Sequence, residues 1–286
     1  MEKLLKYYPK LIAGYFLLCL NFCCKEVHKK DFNFLSKVEK DSLAELHDEL
    51  SDYFLQPSKI HRIYKDSALY FQPENVDIRQ RLSYSYKKTG EHIKAMELLN
   101  KAVEIDILND NADALQYRAW TLLYYYRDYE GTILDVDLIE KMSENSYNSC
   151  WGEPCGFLKG QALYKLGRYE EAITTFINVN IEEEKLGFDI TDNHLLFFYI
   201  GRCLSEMKKH KEAINFYEKT LLSVEKFPES YYQIGLSYKA LNNMSLAKKN
   251  FNLARNYLKY SMDEPFIERF DEVFSYMIEN ELKIFN

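Results

Sequence analysis

The chain repeats one arrangement of small and large apolar residues at helical spacing. Tyr231-x2-Ile234-Gly235-x2-Tyr238 is followed by Ala247-x3-Phe251-x2-Ala254. Upstream, Phe197-x2-Ile200-Gly201-x2-Leu204 precedes Ala213-x3-Tyr217, and Gly160-x2-Leu163 precedes Gly167 and Ala172-x3-Phe176. Leu82-Ser83-x2-Tyr86 is followed by Gly90, Ala95-x3-Leu99 and Ala102. Steps of three and four residues give each helix one apolar face. A glycine inside a helix costs about 1 kcal/mol against alanine. Three of them at one repeat position, Gly160, Gly201 and Gly235, therefore mark places where two helices approach closely. A helical hairpin of this kind cannot bury its apolar face alone, so the hairpins must stack.

The register drifts in two places. Ala172, Ala213 and Ala247 are 41 and then 34 residues apart (213 − 172 and 247 − 213). The longer interval must hold an insertion in the stretch Asn178–Asn193, either a lengthened second helix or a short extra turn before Asp192. Residues 112–142 form a degenerate unit, with Thr132 where alanine is expected. There Ala119 or Trp120 takes the small position, with one residue inserted. Four to six helix pairs are expected. At the far end, Pro265 with Asp263 as cap predicts a last helix, with Phe266, Phe270, Val273, Phe274, Met277 and Ile278 as its buried stripe.

This grammar resembles that of tetratricopeptide repeat proteins over roughly residues 60–262. The resemblance implies an all-α solenoid of helical hairpins with a C-terminal capping helix. It implies a scaffold that binds a protein or peptide along its concave face, which the first helix of each pair lines. Function does not follow from the fold itself. Carried over position by position, the groove residues are Tyr84, Lys87 and Lys88 in the first full repeat, with Gln80 beside them. The degenerate unit adds Tyr117, Tyr124 and Tyr125. The next supplies Phe157, Gln161, Tyr164 and Lys165, then come Phe198, Arg202 and Glu206, and last Tyr232 and Lys239. Aromatic rings with interspersed cations, in a chain of net charge −7, suit a partner protein or peptide bearing acidic or carboxylate groups. The Lys/Asn pattern of the family's carboxylate-clamp members is missing.

The N-terminus carries Lys3, Lys6 and Lys10, then a 12-residue apolar run, Leu11–Phe22, and then Cys23-Cys24-Lys25-Glu26. A basic start, a short apolar core and a polar break describe a secretory signal. Twelve residues rise only about 18 Å as a helix, short of a ~30 Å hydrocarbon core. The cysteine closing the run resembles the acceptor of bacterial lipoproteins. Cys24 has small Cys23 before it, whereas Cys23 has bulky Phe22, so Cys24 is the favoured lipid acceptor and Cys23 the alternative. Cleavage without a lipid and an uncleaved anchor remain open. The expected organisation is residues 1–23 as signal, 24–35 as tether, 36–262 as the repeat array and 263–286 as the capping helix. The expected location is a bacterial envelope, membrane-held through the N-terminal lipid.

No chemistry-bearing constellation stands out. The six histidines, His28, His47, His61, His92, His194 and His210, show no metal spacing and read as surface or turn residues. There is no Gly-rich phosphate loop and no G-x-S-x-G, so no enzyme, metal or cofactor is expected. The acidic balance argues against nucleic acid as partner. Cys150-Trp-Gly-Glu-Pro-Cys155 sits in a loop, where a disulfide and two free thiols are the alternatives. Cys203 follows Gly201 and reads as a small core residue. Two rival functions fit the same groove: ligand capture for a nutrient-uptake system, and a membrane-tethered regulatory protein.

Overall fold

The computed structural model describes residues 32, 34–143, 147–189, 194–260 and 270–285. The signal-like segment with Cys23 and Cys24, and the start of the last helix at Asp263–Pro265, lie outside them. Twelve helices fold as six antiparallel pairs: α1 Lys37–Ser51 with α2 Lys59–Phe71, α3 Val76–Lys88 with α4 His92–Leu108, and α5 Asp113–Thr121 with α6 Tyr129–Met142. Then come α7 Cys155–Lys165 with α8 Tyr169–Leu186, α9 His194–Glu206 with α10 His210–Ser223, and α11 Pro228–Ala240 with α12 Met244–Tyr257. A short α13, Ser275–Leu282, packs on α12. Each second helix also touches the next first helix, so the pairs stack in sequence order as a solenoid.

The glycines are where the paired helices meet. A Cβ on Gly201 would stand 2.5 Å from Tyr217 Cε1, and one on Gly235 2.6 Å from Phe251 Cδ1; Gly160 lies equally tight under the Phe176 ring. In all three pairs the ring stands 16 residues after the glycine (176 − 160, 217 − 201, 251 − 235). Phe176, Tyr217 and Phe251 are fully buried, as are Ala172, Ala213 and Ala247 beside them.

Both register drifts have a structural form. Helix α8 runs 18 residues and stops at Gly187, whose φ of 84° suits a residue without Cβ. The degenerate unit contains a π-helical turn, Leu122–Tyr126, in which the Arg127 N–H bonds back to the Leu122 carbonyl. One extra residue in a helix is absorbed as such a turn. Ala119 is therefore the small residue, fully buried, and Val136 is its buried counterpart 17 residues on.

Two expectations fail. Residues 270–274 are irregular and the described helix runs Ser275–Leu282, so Phe270, Val273 and Phe274 of the expected stripe lie outside it. Phe270, Val273 and Ile278 are buried, but Phe274 is 46% exposed. His61 is also no surface residue: it is buried, with Nδ1 3.0 Å from the Ser51 carbonyl oxygen.

Candidate functional site

The first helices α3, α5, α7, α9 and α11 present one continuous inner face, and its two halves differ. In the first half Lys87, at the end of α3, turns into a cage of rings. Its ammonium stands 4.9 Å from the Tyr125 centroid, 5.0 Å from Tyr117, 5.3 Å from Tyr84 and 5.5 Å from Trp120. It donates to Tyr117 Oη at 3.1 Å and Thr121 Oγ1 at 3.3 Å. The π turn brings Tyr125 over it, and the Tyr125 hydroxyl donates to the Lys87 carbonyl at 3.2 Å. Only 3% of Lys87 is exposed, and no carboxylate pairs with it among the described residues. Burial, with Lys88 adding like charge, pushes its pKa down to about 7. Lys88 itself is exposed, over the Tyr84 ring at 5.2 Å.

A disulfide hairpin extends this platform. Cys150 and Cys155 are bonded, closing strands β1 Ser149–Cys150 and β2 Glu153–Pro154. The two turn residues, Trp151 and Gly152, both take positive φ, 55° and 85°. That is the demand of a type I′ hairpin turn, and a tryptophan tolerates it poorly. The turn sets the Trp151 ring 5.0 Å from Tyr117 and 6.2 Å from Trp120 while leaving it 59% exposed.

The second half is filled by the chain's own C-terminal segment. The buried Phe270 ring lies 6.0 Å from both Tyr124 and Tyr129. The Arg127 guanidinium stands over it at 4.3 Å and the Lys165 ammonium at 4.8 Å. The Tyr199 hydroxyl donates to the Phe270 carbonyl at 3.1 Å. Next, Asp271 pairs with Arg202 at 3.3 Å, and Arg202 donates to Tyr164 Oη at 2.8 and 3.0 Å. Burial, the largest single influence, would lower the Arg202 pKa, but Asp271, Tyr164 and Tyr217 together outweigh it and raise the value. Farther on, Lys239 reaches Glu281 of α13 at 2.5 Å.

Thus Tyr124, Tyr164, Lys165, Arg202 and Lys239 do face one inner surface, and Tyr84, Lys87 and Lys88 its open half. Phe157, Phe198 and Tyr232 do not: they are 4%, 0% and 6% exposed inside the helix pairs, against Phe176, Tyr217 and Phe251. Each stands three residues before its glycine, so it shares the glycine's face and points at the second helix. Residues displaced from that face, such as Arg202, one beyond Gly201, and Tyr199, two before it, reach the groove. Tyr199, Trp120, Trp151 and the Phe270-Asp271 pair were not picked out as groove residues in the sequence. The offset from the glycine was the available signal for Tyr199. Cys203 is buried in the core, and burial raises its thiol pKa to about 12.

Models of the tetratricopeptide repeat match residues 76–106, 157–179 and 228–254, and a second such model matches 196–223. The chain carries tetratricopeptide repeats. The segment 107–156, with the π turn and the disulfide hairpin, lies outside the matched ranges. Among solved structures, PilW, described as a widely conserved type IV pilus biogenesis factor, superposes with a TM-score of 0.55 at 17% identity, over 79% of this chain and 95% of that one. MamA from Desulfovibrio magneticus RS-1, from residue 41 to its end, gives 0.53 at 14%, over 66% and 97%. A chain of the APC/C hetero-tetramer Cut9–Hcn1 gives 0.54 at 14%, over 86% and 46%. At these identities what is shared is the fold, a tetratricopeptide-type helical solenoid. No curated protein matches the sequence.

Proposed function

We propose that the protein is a non-enzymatic scaffold that binds an acidic protein or peptide segment along the inner face of its repeats. We further propose that it works as an exported lipoprotein of a bacterial envelope, anchored through Cys24. The observation that carries the binding reading is the Lys87 cage. A buried ammonium ringed by Tyr84, Tyr117, Trp120 and Tyr125, with no carboxylate paired to it among the described residues, favours an incoming anion. The exposed Trp151, Tyr125 and Lys88 around it offer stacking area and a second cation. Aromatic anchors of this kind dominate interface energetics. The anchoring reading rests on the apolar run and cysteine of the N-terminus.

The test is capture from solubilised envelope with the full chain and with a Tyr125→Ala/Lys88→Ala variant, followed by mass spectrometry. A protein held by the first and lost by the second, at equal helicity, supports the groove as the binding surface. Equal capture by both removes it.

A further inference from the structure

Residues 270–273 do more than close the end of the array. Covering the last pair is the work of Val273 and of α13, whose Ile278 and Leu282 pack with Ala247, Phe251 and Ala254. Phe270 sits well away from that end, against Tyr124 and Tyr129 of the third pair and Lys165 of the fourth. A cap has no need to reach back so far. The backbone there is bent and irregular and is read through its main chain, by Tyr199 on the Phe270 carbonyl. Asp271 takes a left-handed φ of 64°, a conformation an Asp tolerates but does not prefer, and its contacts hold it there. The chemistry is also complementary. Residues 270–282 contain Asp271, Glu272, Glu279 and Glu281 and no Lys or Arg, opposite Arg127, Lys165, Arg202 and Lys239.

We infer that Phe270-Asp271 is an internal ligand, and that the partner of the groove presents a segment in which an aromatic residue is followed directly by an acidic one and takes its place. The inference rests on the groove reading above and names the partner's motif. The aromatic residue enters the Tyr124–Arg127–Tyr129–Lys165 pocket, and the carboxylate takes Arg202. A tethered segment competes at an effective concentration on the order of millimolar. The apparent affinity for an external peptide is reduced by the fraction of chains whose groove is closed. Removing the internal competitor should therefore strengthen external binding tenfold or more.

The probe is a fluorescein-labelled synthetic peptide of residues 270–276, followed by anisotropy against the full chain. The Phe270→Ala/Asp271→Ala chain should bind it at least tenfold more tightly than the unaltered chain. Adding Arg202→Ala, or changing the peptide's own Asp to Ala, should abolish the gain. In the unaltered chain, excess peptide should speed amide hydrogen exchange across residues 270–274. This second readout does not depend on the variant's folding. Equal affinity in the two chains, no binding to the double variant, insensitivity to Arg202, or unchanged exchange would each overturn the inference. Loss of a partner in Tyr125→Ala/Lys88→Ala, but no change in Phe270→Ala/Asp271→Ala or Arg202→Ala, would leave the groove reading standing and remove this one alone.

Discussion

Gly201→Ala is the sharpest test of how the pairs are built. The new Cβ would stand 2.5 Å from Tyr217 Cε1, 2.7 Å from Cδ1 and 3.1 Å from Cζ. Ordinary van der Waals contact begins near 3.4 Å, so the ring must retreat by about 1 Å. It has little room: Tyr217 is fully buried, Phe198 lies 5.8 Å from its centroid, and its hydroxyl is held 3.0 Å from Ser205 Oγ. Overpacking of this kind costs about 1–3 kcal/mol. A strained Tyr217–Ser205 bond adds about 1 kcal/mol, and replacing a mid-helix glycine by alanine returns about 1 kcal/mol. The net expectation is a loss of roughly 1–3 kcal/mol, or a melting temperature about 3–10 °C lower for a chain of this size. Thermal unfolding followed by far-ultraviolet circular dichroism reads it. Tyr217→Leu in the same chain removes the ring that is struck, so the double variant should be less destabilised than the sum of the singles by about 1 kcal/mol. An unchanged or raised melting temperature for Gly201→Ala would refute the claim that the helices meet at this glycine.

The remaining expectations concern the platform, the hairpin and the anchor. Native Lys87 gives up its proton near pH 7 and the unfolded chain near 10.5, so the unfolded state binds more protons between them and stability should rise with pH there, by at most about 1.4 kcal/mol per unit. Lys87→Met should flatten that rise, as seen in urea melts at pH 6 and pH 9. Above pH 10 the trend should reverse, because Tyr126, held neutral by burial up to about 12, would ionise on unfolding. An acidic peptide that uses Lys87 must find it charged, so its binding should weaken as pH rises above 7, with proton uptake measurable by calorimetry in buffers of different ionisation enthalpy. Cys150→Ser/Cys155→Ser should cost about 2 kcal/mol and shift Trp151 fluorescence, whereas an unchanged spectrum would mean that the hairpin does not hold the ring. Cys24→Ser should leave unprocessed precursor or a form released from membranes, and processing like that of the unaltered chain would exclude Cys24 as the acceptor.

The fold was legible because it follows from spacing alone. Gly160, Gly201 and Gly235 recur where a ring from the second helix must fit, and that constraint is local to each pair. The extra residue of the degenerate unit was legible as an offset but not as a π turn, since one insertion can be absorbed in several ways. The groove was half legible. Arg202 and Lys165 fall on the inner face by helical periodicity, whereas Tyr164 and Lys239, four residues beyond their glycines, reach it with the ends of their side chains. Phe157, Phe198 and Tyr232 were misplaced because i and i − 3 share a face, and the glycine's face looks at the partner helix. Trp151 depends on a hairpin turn closed by a disulfide, a contact that no repeat pattern encodes. The Phe270-Asp271 pair meets repeat pairs far from it in sequence, and its aromatic spacing was equally good as a helix.

The charges divide the groove in a way the repeats alone would not. In the second half each cation that reaches the inner face already has a partner from the C-terminal segment: Arg202 has Asp271, Lys239 has Glu281, and Arg127 and Lys165 share the Phe270 ring. In the first half Lys87 sits among rings with no acid paired to it among the described residues, and Lys88 lies exposed beside it. An acidic segment docking at the first half gains an ion pair that the free protein lacks. One docking at the second half must replace an ion pair already made. On the proposed reading, encounter therefore belongs to the Lys87 platform, where no ion pair has to be replaced. A partner long enough to continue past Tyr124 can hold the second half only by matching Phe270 and Asp271. Selectivity then resides in the segment that must be displaced, because a ligand with charge but no correctly placed ring stops at the first half.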